Sequence, residues 1–551
     1  MAERNDIQNL GIVGLISEIK KGIIRIPDFQ RDYVWKVENI KDLLESVVKD
    51  YPLGSILLWK TQEKLEERDP LDLKLSEQHK NAEKLYLLDG QQRLVTLYSL
   101  LTKGYAETGK RKIKNYFFYD LKSKEFKVFS EQEISEKKPK IEEGLLAINK
   151  VFIFDQLYVS VSLDEDILTK MKADAKAIMT YNELHNKFNS IMFPAIISSK
   201  DLSVACRIFE RLNNTGTQLT IADLMVATTY TADFNLRDKM EELNSSLAPH
   251  DFEIDERTIL QCMSACIKNG TRRDDIIDSS NLFVQNWDKV TKSIRLSIDF
   301  LKNNCSVPVS KFLPNEIMLP VITKFFFGYG NKTLTSDYIK KIRKYFWISS
   351  LYQRYSSSSD TIAKGDIDTI DDILNGKRDN FNFDNLMKLE GDITKESILY
   401  EDMNLGSSFV KAILCFLASK KPKELKNNTE ISLDQTFSEA NLRQFHHIFP
   451  VNYLKKNMLA KKDKKYVELF KNSIANISLI PASTNRDIWD NAPSDYLTKF
   501  KIDNLELSST LTTHVIGKTD EFGLDENDFK TFLEKRAELI ANEIKTFISN
   551  L

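Results

Sequence analysis

Two adjacent histidines, His446 and His447, open the run His446-His447-Ile448-Phe449-Pro450 in a chain that holds only six histidines. Neighbouring side chains on an extended strand point to opposite faces, so the two rings cannot share one task. One imidazole can hold a cation while the other, neutral near pH 7, takes a proton from water. A hard divalent cation beside it would stabilise charge on a phosphodiester oxygen. Asn485, followed by Arg486, offers an amide oxygen of the kind such a cation accepts. These residue types fit a one-metal nuclease site. Two structural histidines in a polar loop are the plainer alternative. Pro450, the Asn476-x-x-Leu479-Ile480 segment and the Asn485-Arg486 step weigh together against it. A zinc finger fails on ligand count, because Cys262 and Cys266 form the one close pair among five cysteines. Their i,i+4 spacing suits small buried residues on a helix face.

A second polar constellation lies near the amino terminus. An apolar run at residues 85–88 leads directly into Asp89-Gly90-Gln91-Gln92-Arg93, and a helix is predicted over residues 94–101. Strand, short polar turn and helix start together suit a phosphate, which unpaired N–H groups and the helix dipole attract. Gly90 lets the backbone come close, Arg93 can fork onto phosphate oxygens, and Asp89 can hold a cation or a water. No Walker motif occurs, so a nucleotide here would not sit in a P-loop. Upstream lies Pro27-Asp28-Phe29-Gln30-Arg31-Asp32-Tyr33-Val34-Trp35, whose Phe29, Tyr33 and Trp35 alternate as core-facing strand residues do. Downstream lies Phe209-Glu210-Arg211-Leu212-Asn213-Asn214-Thr215-Gly216. Three clusters rich in Gln, Arg and Asn are costly to bury without a ligand.

The elements that must position these residues follow from periodicity. An amphipathic helix is predicted over 37–49, with Ile40, Leu43, Leu44, Val47 and Val48 on one face, and strands over 55–59, 116–120, 126–129 and 191–197. From about residue 233 the spacing turns helical, over 257–268, 278–303, 317–327 and 336–355. A length of 551 residues with 42% hydrophobic content allows several cored domains. The net charge of −2 excludes a uniformly basic surface, so nucleic acid would be met by local patches. Lys455, Lys456, Lys461, Lys462, Lys464 and Lys465, just after the histidines, form one such patch for phosphate. Unframed cysteines, a charged start and no apolar run of spanning length point to a cytoplasmic chain off the membrane.

Residues 441–496 resemble the HNH, or ββα-metal, endonucleases, in the variant that ends GmrSD-type modification-dependent restriction enzymes. The resemblance implies His446 as a metal ligand, His447 as the general base, Asn476 as the residue that orients the base through the hairpin backbone, and Asn485 as the final ligand. The gap between His447 and Asn476 is longer than the family's, and its Lys-rich filling is expected to form an extra helix. Residues 7–230 resemble the ParB/sulfiredoxin-like domain of the GmrS type through the three motifs quoted above. That likeness implies NTPase activity carried by Asp89, Gln91, Gln92 and Arg93. Gln30, Arg31, Gly90, Asn213 and Asn214 are implied as nucleotide- or DNA-binding neighbours.

The expected fold is an α+β multidomain chain. Residues 1–232 form a ParB/sulfiredoxin-like α/β domain for nucleotide binding and DNA sensing. Residues 233–395 form a helical connecting region, and residues 396–551 a mainly helical domain bearing the ββα-metal motif. The expected function is nucleotide-regulated cleavage of foreign, modified DNA in antiphage defence. It would use Mg2+ or Mn2+ at the nuclease site and GTP or another nucleoside triphosphate at the amino-terminal site. Expected partners are double-stranded phage DNA and the nucleotide, with a second copy of the chain and companion modification-system proteins as further candidates. Two rival readings remain open here: a ParB-like, non-hydrolysing DNA clamp with a nuclease tail, and an RNA-cleaving toxin.

Overall fold

The structure, a computed structural model, describes residues 5–27, 33–61, 67–68, 84–108, 112–137, 144–151, 174–199, 204, 220–231, 233–390, 393–436, 446–457 and 464–551. The chain divides into two compact units, Met1–Leu236 and Arg237–Leu551.

The first unit is built on strands β1 (Asn5–Gly11), β2 (Ile24–Pro27), β3 (Ile56–Thr61), β4 (Glu67–Arg68), β5 (Lys84–Asp89), β6 (Tyr105–Thr108), β7 (Ile113–Asp120), β8 (Glu125–Ser130), β9 (Leu145–Ala147) and β10 (Met192–Ser198). Six of them form a mixed sheet in the order β1-β10-β3-β5-β2-β4, while β6, β7, β8 and β9 form a smaller antiparallel one. The run Ile56-Leu57-Leu58-Trp59 is buried throughout, as a strand covered on both faces must be. Helices α1 (Ile12–Lys20), α2 (Val37–Val48), α3 (Gln91–Lys103) and α4 (Ala175–Asn189) pack into the same core. In α2 the buried positions Ile40, Leu43, Leu44 and Val47 recur at helical spacing, as expected from the sequence.

Two local expectations are corrected. Residues 33–36 form no strand, because the Val34 and Trp35 N–H groups go to the Gln92 side-chain oxygen, at 3.0 and 3.3 Å, instead of a neighbouring strand. Tyr33 and Trp35 still pack against the core. Helix α3 begins at Gln91, three residues earlier than predicted. Gly90 takes φ +90°, a left-handed value glycine adopts freely, and turns the chain from β5 into the helix within one residue.

The second unit is helical through its middle, with long helices at Glu256–Lys268, Phe283–Cys305, Met318–Tyr329, Ser336–Leu351, Ser359–Leu374 and Ser408–Ser419. Cys262, Cys266, Cys305 and Cys415 are buried free thiols there, which agrees with a packing role. Further along come β11 (His446–His447), α5 (Val451–Asn457), α6 (Lys464–Phe470), β12 (Ile477–Ser478), α7 (Ala482–Ile488) and α8 (Phe529–Ser549). Strands β11 and β12 pair antiparallel, His446 opposite Ser478 and His447 opposite Ile477. Among the described residues, two short helices, α5 and α6, lie in the long gap between them. Each buries its own apolar residues, Leu454 in α5 and Val467 with Phe470 in α6.

The hairpin rests on a buried polar frame. Arg536 of α8 is fully buried and donates from Nη1 to the Ala475 carbonyl, at 2.7 Å, and from Nη2 to the His514 carbonyl, at 3.0 Å. His514 Nε2 lies 2.7 Å from the Lys423 carbonyl and its Nδ1 lies 2.7 Å from Ser478 Oγ. A carbonyl can only accept, so Nε2 carries the proton and the Ser478 hydroxyl donates to Nδ1. Burial holds His514 at a pKa of about 4, against an ordinary 6.5. The unfolded chain binds this proton below pH 6.5 and the folded chain does not until about pH 4. His514 therefore adds stability above pH 6.5 that is lost as the pH falls through that window. Urea unfolding of the full chain should show the His514-bearing transition weakened by about 2 kcal/mol between about pH 7.5 and about pH 5. His514→Gln should reduce that dependence by this share, the remainder belonging to the likewise depressed His446 and His447, and an unchanged slope would remove His514 as a source.

Candidate active site

The paired strands and the helix after them bring His446 and Asn485 together. His446 is 2% exposed, and its ring lies beside the Asn485 side chain, from α7, and the backbone of Ile480. Its Nδ1 is shut off from solvent and makes no hydrogen bond. Burial, reinforced by the nearby His447 ring, lowers the His446 pKa to about 4, against the raising effect of Asn485 and Ile480. The imidazole is thus neutral at pH 7, the form that ligates a metal.

His447 is half-buried and its Nε2 is likewise enclosed with no hydrogen-bond partner. Burial also lowers its pKa, opposed by the neighbouring Asn472 side chain. A neutral ring with an unpaired nitrogen is the form that can take a proton. Asn472 was not singled out by sequence reasoning. Its only signal is its place in the turn four residues before Asn476.

Asn476 touches neither imidazole. Fully buried, it accepts the Phe449 N–H at Oδ1, 2.9 Å, and donates from Nδ2 to the carbonyls of Phe449, 3.0 Å, and Lys471, 3.1 Å. Its own carbonyl accepts the Ile448 N–H at 2.9 Å. The Tyr496 hydroxyl donates to the Ile448 carbonyl at 2.9 Å. Both residues after His447 are thereby fixed on their backbone atoms. Helix α7 is fixed through Thr484, whose hydroxyl donates at 2.5 Å to Glu424, a buried carboxylate that no motif announced.

The metal fit can be judged on these atoms. Among the described residues no three His, Cys, Asp or Glu side chains cluster as a metal site. A cation would then take His446 and the Asn485 amide oxygen, with water completing its shell, an arrangement that suits Mg2+ or Mn2+ better than zinc. The enclosed, unsatisfied Nδ1 of His446 beside Asn485 fits that assignment.

Lys455 and Lys456 are exposed on α5, and Lys456 Nζ lies 3.4 Å from Asp490 beyond α7. Arg486 is exposed on α7 itself. Lys461 and Lys462 lie outside the described residues.

In the first unit, the Asp89–Arg93 motif is drawn into architecture. Arg93 donates from Nη1 to the Leu53 carbonyl, at 2.5 Å, and from Nη2 to the Ser55 carbonyl, at 2.8 Å, and reaches Asp89 Oδ2 at 3.4 Å. Gly54, at φ +79°, makes room for it, since a Cβ there would stand 2.2 Å from Nη1. Gln92 holds the backbone of residues 34 and 35, and Gln91 is buried. Asp89 keeps a fifth of its side chain exposed. The other expected neighbours, Gln30, Arg31, Asn213 and Asn214, lie outside the described residues.

Comparison with known proteins agrees with both halves of this picture. Residues 12–230 match the model of the GmrSD restriction endonuclease N-terminal domain. Residues 395–542 match that of the GmrSD restriction endonucleases' C-terminal domain. An uncharacterized protein of Methanocaldococcus jannaschii, MJ0686, is 22% identical over 99% of each chain. No helix among the described residues is long and apolar enough to cross a membrane. With its two ends matched by the two halves of one enzyme type, the chain belongs to the GmrSD restriction endonuclease family.

Proposed function

We propose that this restriction endonuclease hydrolyses DNA phosphodiesters at the β11-β12-α7 site, with His447 as general base. The observation that carries the reading is the adjacency of His446 to Asn485 beside a second neutral imidazole, with an enclosed and unsatisfied nitrogen on each ring. His446 and Asn485 would hold Mg2+ or Mn2+, which would supply positive charge at the phosphate oxygens. His447 Nε2 receives the proton of the attacking water, while Asn472 steadies the ring. Asn476 keeps the strand that bears His447 in register by holding the Phe449 backbone, and so acts as a positioning residue. Lys455 and Lys456 meet the DNA backbone through phosphate contacts.

The amino-terminal unit, in this reading, binds and hydrolyses a nucleoside triphosphate, GTP or another, and gates cutting of modified phage DNA. A free nuclease would also cut the host's own DNA. Differential nucleotide affinity between an inactive and an active state gives a physical basis for such a gate. Asp89 and Arg93 each expose a fifth of their side chains, but Arg93 is committed to two backbone carbonyls, which leaves Asp89 for the chemistry. Arg93 and Gln92 preserve the shape of the loop around it.

His447→Ala should lower DNA cleavage by about 10²–10⁴-fold, the usual contribution of a general base. Nucleotide hydrolysis should be left largely intact. Plasmid cleavage that persists in the purified variant would remove the assignment. Asp89→Asn should lower nucleotide turnover with no loss of thermal stability, measured as phosphate release and a melting curve. Unchanged turnover would take the nucleotide chemistry away from this motif.

A further inference from the structure

Trp489 closes the helix that carries Asn485, and it does so in a conformation made for glycine. Its backbone lies at φ +46°, ψ −117°, the region of the first central residue of a type II′ turn. A bulky side chain there is strained. The indole gains nothing from the fold in exchange. It is 72% exposed and enters no ring contact or hydrogen bond among the described residues.

Its surroundings say what it faces. The Trp489 N–H donates to the Asn485 carbonyl at 2.8 Å, which sets the ring one turn from the candidate metal ligand. Lys456 pairs with Asp490, so the basic end of α5 lies against this turn. The two acids of the turn are neutralised, Asp487 by Lys426 and Asp490 by Lys456. Lys455 and Arg486 stay exposed, with no hydrogen bond or ion pair among the described residues. An exposed apolar ring one turn past Arg486, next to the basic end of α5 and beside a phosphodiesterase site, matches a polymer of stacked bases on an anionic backbone.

We infer that Trp489 is a wedge by which this enzyme engages double-stranded DNA next to the phosphate it cuts. Its indole presses against a base step from the groove, while Lys455 and Arg486 take the adjoining phosphates. The inference rests on the nuclease reading and assigns a DNA-contacting residue within it. It accounts for both oddities together, the glycine-type backbone and the ring in water.

The test measures binding of a short fluorescein-labelled DNA duplex to the full chain carrying His447→Ala, across a series of salt concentrations. Adding Trp489→Gly should weaken duplex binding about tenfold, the scale of one lost base–aromatic contact. The slope of affinity against salt should stay the same, because no phosphate contact is removed. Trp489→Phe should stay within about threefold of the parent. Lys455→Ala should instead reduce the salt slope by about one. The glycine variant should melt at or above the parent's temperature, since it relieves backbone strain. Unchanged duplex affinity in Trp489→Gly would overturn the inference, as would a loss confined to single-stranded DNA or a lowered melting temperature. Failure of the enzyme with His447 intact to cut any DNA would instead sink the nuclease reading. A cutting enzyme with an indifferent Trp489→Gly variant would remove the wedge alone.

Discussion

The side chain of Asn476 is the fastening on which the candidate nuclease site depends. Strands β11 and β12 contribute two residues each, far too little ladder to hold two histidines in register by themselves. Asn476 supplies what the ladder lacks. Its amide gives and takes a hydrogen bond with the Phe449 backbone, as a strand neighbour would, and spends its second donor hydrogen on Lys471. Each of these groups is buried, and leaving one unmet costs about 1–3 kcal/mol. With Phe449 fixed, its ring packs at a tilt against Phe529 and Phe532 on α8, with centroids 5.3 and 5.2 Å away. That contact binds the site to the last long helix of the unit.

Buried histidines in this chain fall into two kinds. At His514 both ring nitrogens have partners and the imidazole is a strut between Ser478 and Lys423. His185 Nδ1 likewise meets the Val151 carbonyl, at 2.8 Å. His446 is as buried as these and His447 is half-buried, yet each keeps one enclosed nitrogen unmatched. Buried polar atoms without partners are rare because they are expensive. Two on adjacent residues, beside an asparagine amide, mark a place where something other than stability has shaped the chain. The strained backbone at Trp489 lies at the end of the same helix. The frame beneath also leaves one such atom, Arg536 Nε, but its other donors are committed. Arg536, Tyr496 and Thr484 each place their hydrogen bonds where the hairpin and α7 need them.

Much of this was legible in the residues. Periodicity identified α2 and four long helices of the second unit, though not those at Ser359–Leu374, Ser408–Ser419 and α8, and the histidine pair with Asn485 marked a place where the structure does bring side chains together. What could not be read was long-range. Asn472, Glu424, His514 and Arg536 owe their roles to partners scattered along the chain, with no local spacing to betray them. The start of α3 was missed because Gln91 and Gln92 look like turn residues. Their burial follows from a contact with residues 34 and 35 that the sequence does not display. The same contact removed the strand suggested by alternating Tyr33 and Trp35, since one glutamine oxygen took the N–H groups a sheet would have used.

That substitution also changes how the Asp89–Arg93 motif should be understood. Residue types show which donors a segment owns, and the fold shows which of them are already committed. Both terminal nitrogens of Arg93 hold backbone carbonyls of the Leu53–Ser55 loop, and Gly54 and Gly90 clear the space around its guanidinium. An arginine bound in this way keeps little freedom to follow a phosphate. It instead joins the loop before β3 to the turn after β5 and keeps Asp89 near the surface. Loss of Arg93 would therefore disturb any ligand at this place indirectly, through two carbonyls left without donors. Of the two charged side chains, only that of Arg93 latches the Leu53–Ser55 loop to α3.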